Sequence, residues 1–179
     1  MKNLVVLPMR GGSKGLPNKH LLPYLDGTVA SFTINQAINE LGDSSDILVS
    51  TDSSYIAEHC SKIGAMVHER RDSLATDYAS TESVLHDIAI KYSSLYSLAV
   101  YLSTCEISRP HGALKKLYES HLSNKCDSTF YVESIHKKIW FQSTSGIQLI
   151  DQCTTKYLPR QMSVDNQIFV EHTGLGLIT

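Results

Sequence analysis

The feature that most constrains this chain is a repeated switch between short apolar, β-branched runs and segments whose apolar residues recur at helical spacing. Asn3–Leu7, Ile47–Ser50, Ala65–His68, Leu98–Leu102 and Thr129–Val132 read as strands. Ala30–Leu41, Tyr55–Ile63, Ser80–Tyr92 and Gly112–Leu122 read as the helices between them. Alternation of this kind folds as an α/β domain around a mostly parallel sheet, because each helical crossover lies back on the sheet it connects. Phe32, Ala37, Ile38 and Leu41 recur at helical spacing, as do Val84, Leu85, Ile88 and Ala89, and both sets are expected in the core. Ligands of such open sheets sit beyond the carboxyl ends of the strands. The segments after Leu7, at Thr51-Asp52 and at Ser103-Thr104 leave such ends.

The first of them, Leu7 to Leu22, carries the chemistry. Pro8 stops the strand, and Gly11, Gly12 and Gly15 lack the Cβ atoms that would keep an anion from the backbone N–H groups, while Arg10, Lys14 and Lys19 supply positive charge. Phosphate is the guest that such a turn suits. No Gly-Lys is followed by Ser or Thr, and the glycines do not make Gly-x-Gly-x-x-Gly, so neither a Walker loop nor a dinucleotide fingerprint is present.

At 179 residues the chain is expected to be a single domain, 1–179, burying roughly 70% of its unfolded surface. A net charge of -2 leaves no broad basic face for nucleic acid, so any positive site is local. Cys60, Cys105, Cys126 and Cys153 are widely spaced, without Cys-x-x-Cys or zinc-ligand spacing, and read as reduced thiols. The N-terminal apolar run is too short for a signal-peptide core, and nothing approaches the ~18 apolar residues of a membrane span. A soluble, cytoplasmic protein with no membrane partner is expected.

Pro8-Met9-Arg10-Gly11-Gly12-Ser13-Lys14-Gly15-Leu16-Pro17-Asn18-Lys19 closely resembles the signature of the cytidylyltransferases that activate sialic acid and related nonulosonic acids, Pro-Ala-Arg-Gly-Gly-Ser-Lys-Gly-Ile-Pro-x-Lys-Asn. Val49-Ser50-Thr51-Asp52-Ser53 with Ile56-Ala57-Glu58, then Arg70 through Leu74-Ala75-Thr76-Asp77, and finally Arg160-Gln161, agree in order and spacing. The resemblance implies a Rossmann-like nucleotidyltransferase fold with a β-rich arm, 131–160, through which subunits dimerise. An ordinary β-excursion covering the sheet is the other reading of that stretch.

The activity implied is attack of a sugar hydroxyl on the α-phosphate of CTP, with loss of pyrophosphate. Catalysis of this kind is mostly positioning and charge stabilisation. By resemblance, Arg10, Gly11, Gly12, Ser13, Lys14 and Lys19 bind the triphosphate, with Lys19 and Arg10 as the catalytic cations, and Lys19 is expected to stabilise charge at the α-phosphate. Arg70, Thr81 and Ser103 are the further nucleotide positions. Arg71 beside Arg70 has a surface alternative, pairing with Glu69 or Asp72. Arg160 and Gln161 fall on the sugar side, where a guanidinium grips a carboxylate bidentately, and Lys137 or Lys138 occupies a stretch that contacts substrate in some relatives. The partners implied are CTP, an acidic nine-carbon sugar and a second copy of the chain; the cofactor implied is Mg²⁺. Asp77, ahead of a helix, has an N-cap alternative.

Several positions depart from the pattern. Where the family reads Gln-Pro-Thr-Ser-Pro-x-Arg, with the glutamine on the nucleotide, this chain has Ser103-Thr104-Cys105-Glu106-Ile107-Ser108-Arg109. His20 replaces an asparagine, and Glu171-His172-Thr173-Gly174 stands for Glu-Asn-Gly-Ala. The Asp-x-Asp pair that binds Mg²⁺ in the family, some tens of residues further on, has no counterpart before Thr179, and the metal ligands are left unassigned; Asp52 and Glu106 are acids that could serve but read better as structural. Three readings stay open: a shortened form of an ordinary enzyme, a divergent enzyme with its metal ligands elsewhere, and a CTP-binding relative without turnover. A deoxyoctulosonate cytidylyltransferase is a more distant resemblance.

Overall fold

The computed structural model describes residues 2–135, 140–149 and 168–178. Its centre is β1 (Lys2–Pro8), flanked in parallel by β4 (Ser45–Thr51) and β6 (Tyr96–Leu102), with β5 (Met66–Glu69) parallel to β4 at the edge. Beyond β6 come β10 (Ile168–Ile178), antiparallel to it through Leu175–Ile178, and β7 (Ser128–Ile135), in the sheet order β5-β4-β1-β6-β10-β7. The mostly parallel α/β expectation is met. Residues Asn3–Leu7 are all buried, the pattern of a strand covered on both faces.

The helices are α1 (Val29–Leu41), α2 (Ser54–Lys62), α3 (Thr81–Tyr92) and α4 (Ala113–Asn124). Leu4, Val6 and Leu48 meet Val84 and Ile88 of α3 in one cluster on one sheet face. Asn3, of opposite pleat parity, reaches Tyr118 of α4. On α1 the buried residues are Ala30, Thr33, Ile34, Ala37 and Leu41, and Ile38 is exposed. On α3 Val84 and Ile88 are buried, Leu85 packs partly, and Ala89 faces out. On α1 the stripe is rotated by part of a turn, with Thr33 inside despite its polarity and its hydroxyl on the Val29 carbonyl (3.0 Å); on α3 the expected stripe is narrowed to Val84 and Ile88.

Three helices carry their own N-caps: Thr28, in a capping box with Ser31, then Ser53 and Ser80. Asp77 therefore does not cap α3; Ser80 does. The N-cap of α4, Gly112, has no side chain to offer, and Glu40 of α1 supplies the carboxylate instead. It accepts from the amides of Gly112 (3.1 Å), Leu114 (2.9 Å) and Lys115 (3.3 Å), where the helix dipole favours negative charge. Arg71 pairs with Asp87 of α3 (2.9 Å), not with Glu69 or Asp72, and His68 meets the same carboxylate, so Asp87 ties β5 to α3.

Two small antiparallel pairs complete the elements: β2 (Pro23–Tyr24) with β3 (Gly27–Thr28), and β8 (Trp140–Ser143) with β9 (Gly146–Leu149). The chain divides into two compact units, Met1–Phe130 with Thr173–Thr179, and Tyr131–His172. Among the described residues no helix is long and apolar enough to cross a membrane.

Candidate functional site

The chain runs outward from β1 to β4 and β5, then returns over the sheet to place β6 on the other side of β1. That reversal is the topological switch point at which such sheets bind ligands. Both the glycine loop after β1 and the segment after β6 leave it.

The glycine loop is anchored before it turns. Met9 is buried and its amide bonds the Ser50 carbonyl (2.8 Å), extending the β1–β4 pairing past Pro8. Gly11 donates its N–H to Asp52 Oδ1 (2.8 Å), and a Cβ at Gly11 would stand 2.8 Å from the Ser53 Cβ. Only glycine fits there, and its amide is committed to the protein. At Gly12 and Gly15 an added Cβ would meet nothing within 4 Å, so these two keep open backbone rather than relieve crowding. Asp52 is accordingly structural, the role favoured by its place at the end of β4.

Arg10 and Lys14 converge on one carboxylate. Arg10 Nη2 donates to Asp77 Oδ1 (2.7 Å) and to the Gly12 carbonyl (3.1 Å), and Lys14 Nζ pairs with Asp77 Oδ2. Lys14 foremost, joined by Arg10, holds the Asp77 carboxyl below the usual carboxylate range, against the opposing effect of desolvation. Ser13 turns its amide to the Gly11 carbonyl (3.0 Å). Lys19 follows in a short 3-10 turn, Lys19–Leu21, and its Nζ lies 3.0 Å from Cys105 Sγ, beyond the end of β6.

His20 joins the two loops. It is buried, and its Nδ1 meets the Thr104 hydroxyl at 2.8 Å. Burial, reinforced by Lys19 and Arg70, pushes its pKa down to about 4, so the ring is neutral at pH 7.

Arg70 lies 7% exposed against the end of β4, donating Nη2 to the Ser50 carbonyl (2.7 Å) and Nε to the Ser50 hydroxyl (3.3 Å). Burial lowers its pKa and Asp52 opposes that. Ser103 and Thr81 both neighbour the Tyr101 hydroxyl, whose pKa burial raises and these two hydroxyls lower. Arg109 turns back under its own loop, to the Ser103 carbonyl (2.7 Å) and Gln36 Oε1 (2.8 Å). Arg10, Gly12, Ser13, Lys14 and Lys19 thus lie on one loop at the switch point. Lys137, Lys138, Arg160 and Gln161 lie outside the described residues.

Residues 4–145 match the family model described as cytidylyltransferase. The chain belongs to the cytidylyltransferase family. Its Rossmann-like nucleotidyltransferase fold and its resemblance to the acylneuraminate enzymes are both borne out. This cytidylyltransferase is 28% identical over 160 residues to the pseudaminic acid cytidylyltransferase of Campylobacter jejuni, covering 85% of this chain and 68% of that one. It is 33% identical over 139 residues to the N-acylneuraminate cytidylyltransferase of Streptococcus agalactiae, covering 76% of this chain and 33% of that one. The chain therefore spans about two thirds of the first relative and a third of the second. Among solved structures, CMP:2-keto-3-deoxy-manno-octonic acid synthetase complexed with CTP superposes with a TM-score of 0.72 over 99% of this chain and 74% of that one, at 16% identity, a likeness of fold.

Reading the cytidylyltransferase from sequence alone missed Tyr101, Thr104, Cys105 and the clasp made by Asp77. Tyr101 carried a signal, since strand alternation separates it from the buried Val100 and Leu102. The other three depend on contacts between segments far apart in the chain. For Mg²⁺, the described residues hold no group of three or more His, Cys, Asp or Glu side chains set to bind a metal. The protein ligands of such an ion stay unassigned.

Proposed function

We propose that this cytidylyltransferase transfers CMP from CTP to the hydroxyl of a nonulosonic acid. The sugar oxygen forms a bond to the α-phosphorus as the bond from that phosphorus to the bridging oxygen breaks. Pyrophosphate leaves with the bond's electron pair, and the hydroxyl proton passes to solvent. The observation that carries this reading is the loop at the switch point, where Arg10 and Lys14 stand over open backbone at Gly12 and Gly15.

Arg10 and Lys14 take the β- and γ-phosphates, and Lys19, at the mouth of the loop, takes the charge that develops at the α-phosphate. Thr81 and Ser103, both beside Tyr101, line the nucleoside side. Ser103 stands where the family's glutamine meets the nucleotide, so base recognition here rests on hydroxyls. Arg160 and Gln161 are assigned to the sugar carboxylate. Mg²⁺ is assigned to arrive with the triphosphate, whose oxygens supply most of the ligands such an ion needs. The stretch 131–160 is assigned to association of two copies, and the reaction to the cytoplasm.

Calorimetric titration with CTP, with and without Mg²⁺ and with ATP and GTP as controls, tests the first half. Pyrophosphate release with N-acetylneuraminate, pseudaminate or legionaminate as acceptor tests the second. CTP-selective binding with release from one acceptor is expected. Binding without release from any would leave a nucleotide-binding relative without turnover, and no nucleotide binding overturns the reading.

A further inference from the structure

We propose that Asp77 is an intrachain competitor for the phosphate-binding cations, displaced from Lys14 when a triphosphate enters and returned to it when pyrophosphate leaves. This rests on the nucleotide reading above and adds to it a residue that sets how tightly the polyphosphate is held.

Asp77 has no work in its own segment. It lies between the 3-10 turn Asp72–Leu74 and α3, and Ser80 caps that helix. Both carboxylate oxygens instead go to the glycine loop, Oδ1 to Arg10 and Oδ2 to Lys14. The two cations are held differently. Arg10 has a second anchor, the Gly12 carbonyl, so its place does not depend on Asp77 alone. Lys14 is 82% exposed and its ion pair with Asp77 is the one contact of its ammonium among the described residues. A long, exposed lysine held by a single carboxylate exchanges partners readily, because its flexible stem can follow a new anion and its hydration is largely retained.

The exchange favours polyanions. A triphosphate brings several negative charges and many acceptor oxygens against the single charge of Asp77, and it approaches over backbone that Gly12 and Gly15 leave open. A single phosphate seated at Lys19 does not need Lys14 and leaves the clasp shut. The same competition works in reverse after the reaction. Pyrophosphate would otherwise remain bound to two cations, and a carboxylate tethered beside them lowers its residence by rebinding at high effective concentration.

The test is calorimetric titration of the wild-type chain and Asp77→Asn with CTP, inorganic pyrophosphate and CMP. Removing one negative charge a few ångströms from the phosphates is expected to tighten CTP and pyrophosphate by about fivefold and to leave CMP within about twofold. In a Lys14→Gln background the gain from Asp77→Asn is expected to fall toward nothing, since the contested cation is gone. Equal or weaker CTP binding by Asp77→Asn would overturn the proposal and make Asp77 a positioning residue for Arg10. So would an equal gain for CMP, which would reduce Asp77 to a diffuse field. If neither protein binds CTP but Asp77→Asn binds pyrophosphate more tightly, the competitor stands and the nucleotide reading falls. Failure of both proteins to bind either probe overturns both.

Discussion

The segments after β1 and β6 leave neighbouring strand ends and face the same crevice, yet they are built on opposite plans. The glycine loop presents its charge outward: Lys14 is mostly exposed and Gly12 and Gly15 are open. The segment after β6 turns two of its polar groups inward, the Ser103 carbonyl onto Arg109 and Thr104 onto His20, while Cys105 lies exposed beside Lys19. One leaves its charge toward solvent, and the other is braced from within. The first keeps the family signature along its length. The second can exchange Gln-Pro-Thr-Ser-Pro for Ser103-Thr104-Cys105-Glu106-Ile107 and still hold its shape through Arg109.

The largest test of that contrast is Lys19→Gln. If the glycine loop is the binding element, loss of the ammonium at the α-phosphate is expected to lower the rate of pyrophosphate release by ~10² to 10³, the usual effect of removing one charge-stabilising group. Folding stability, read by urea denaturation, should stay within about 0.5 kcal/mol. A comparable loss of stability would make Lys19 a brace and erase the distinction.

Next is the joint between the two loops. The His20 pKa is about 4 in the folded chain against an ordinary 6.5, so below pH 6.5 the unfolded chain binds a proton that the folded one refuses. Its contribution is fully present above pH 6.5 and is lost as the pH falls toward 4, by on the order of 3 kcal/mol. His68, also lowered by burial, acts in the same direction. Urea denaturation at pH 7 and pH 4.5 should show His20→Asn losing less stability than the wild type over that interval, although carboxylates titrate in both. An identical loss would mean that His20 is not buried and neutral as described.

Much of the fold was legible because its causes are local. The buried runs at Asn3–Leu7 and Leu98–Leu102 and the Ser or Thr ahead of three helices are written in adjacent residues. The glycine loop was legible for the same reason, its glycines and cations lying within one short stretch. What escaped depends on residues far apart. Asp77 reaches Arg10 across 67 positions and Thr104 reaches His20 across 84, and no local pattern marks either pair. Arg70 illustrates the converse, since its family position was legible but its bonds to Ser50 follow only from the β4–β5 pairing.

The bracing plan extends to the helix that follows the β6 segment. Glu40 accepts three amides at the start of α4 and a bond from Gln36, which in turn receives Arg109. Glu40→Ala should destabilise the chain by about 2 kcal/mol, the range for charge-assisted bonds to a buried helix start. CTP affinity should change by less than about threefold if the brace and the binding loop are energetically separate. A larger change in affinity would show that the second segment does more than hold shape.

The smallest effects come from two neighbouring glycines that the sequence does not tell apart. Gly11→Ala would set a methyl group 2.8 Å from the Ser53 Cβ, an atom that cannot move without shifting the start of α2, and should cost about 1 to 3 kcal/mol by urea denaturation. Gly12→Ala meets nothing within 4 Å and has no positive φ to relieve, so its stability should stay within about 0.5 kcal/mol of the wild type. Its effect belongs to binding, where the added methyl stands in the path of an approaching phosphate, and pyrophosphate affinity should weaken while the melting transition holds. If both variants lose stability alike, the loop is a packed turn throughout. If Gly12→Ala loses only affinity, one face of a three-residue stretch is scaffold and the other is site, and the division between bracing and binding runs inside the glycine loop as well as between the two segments.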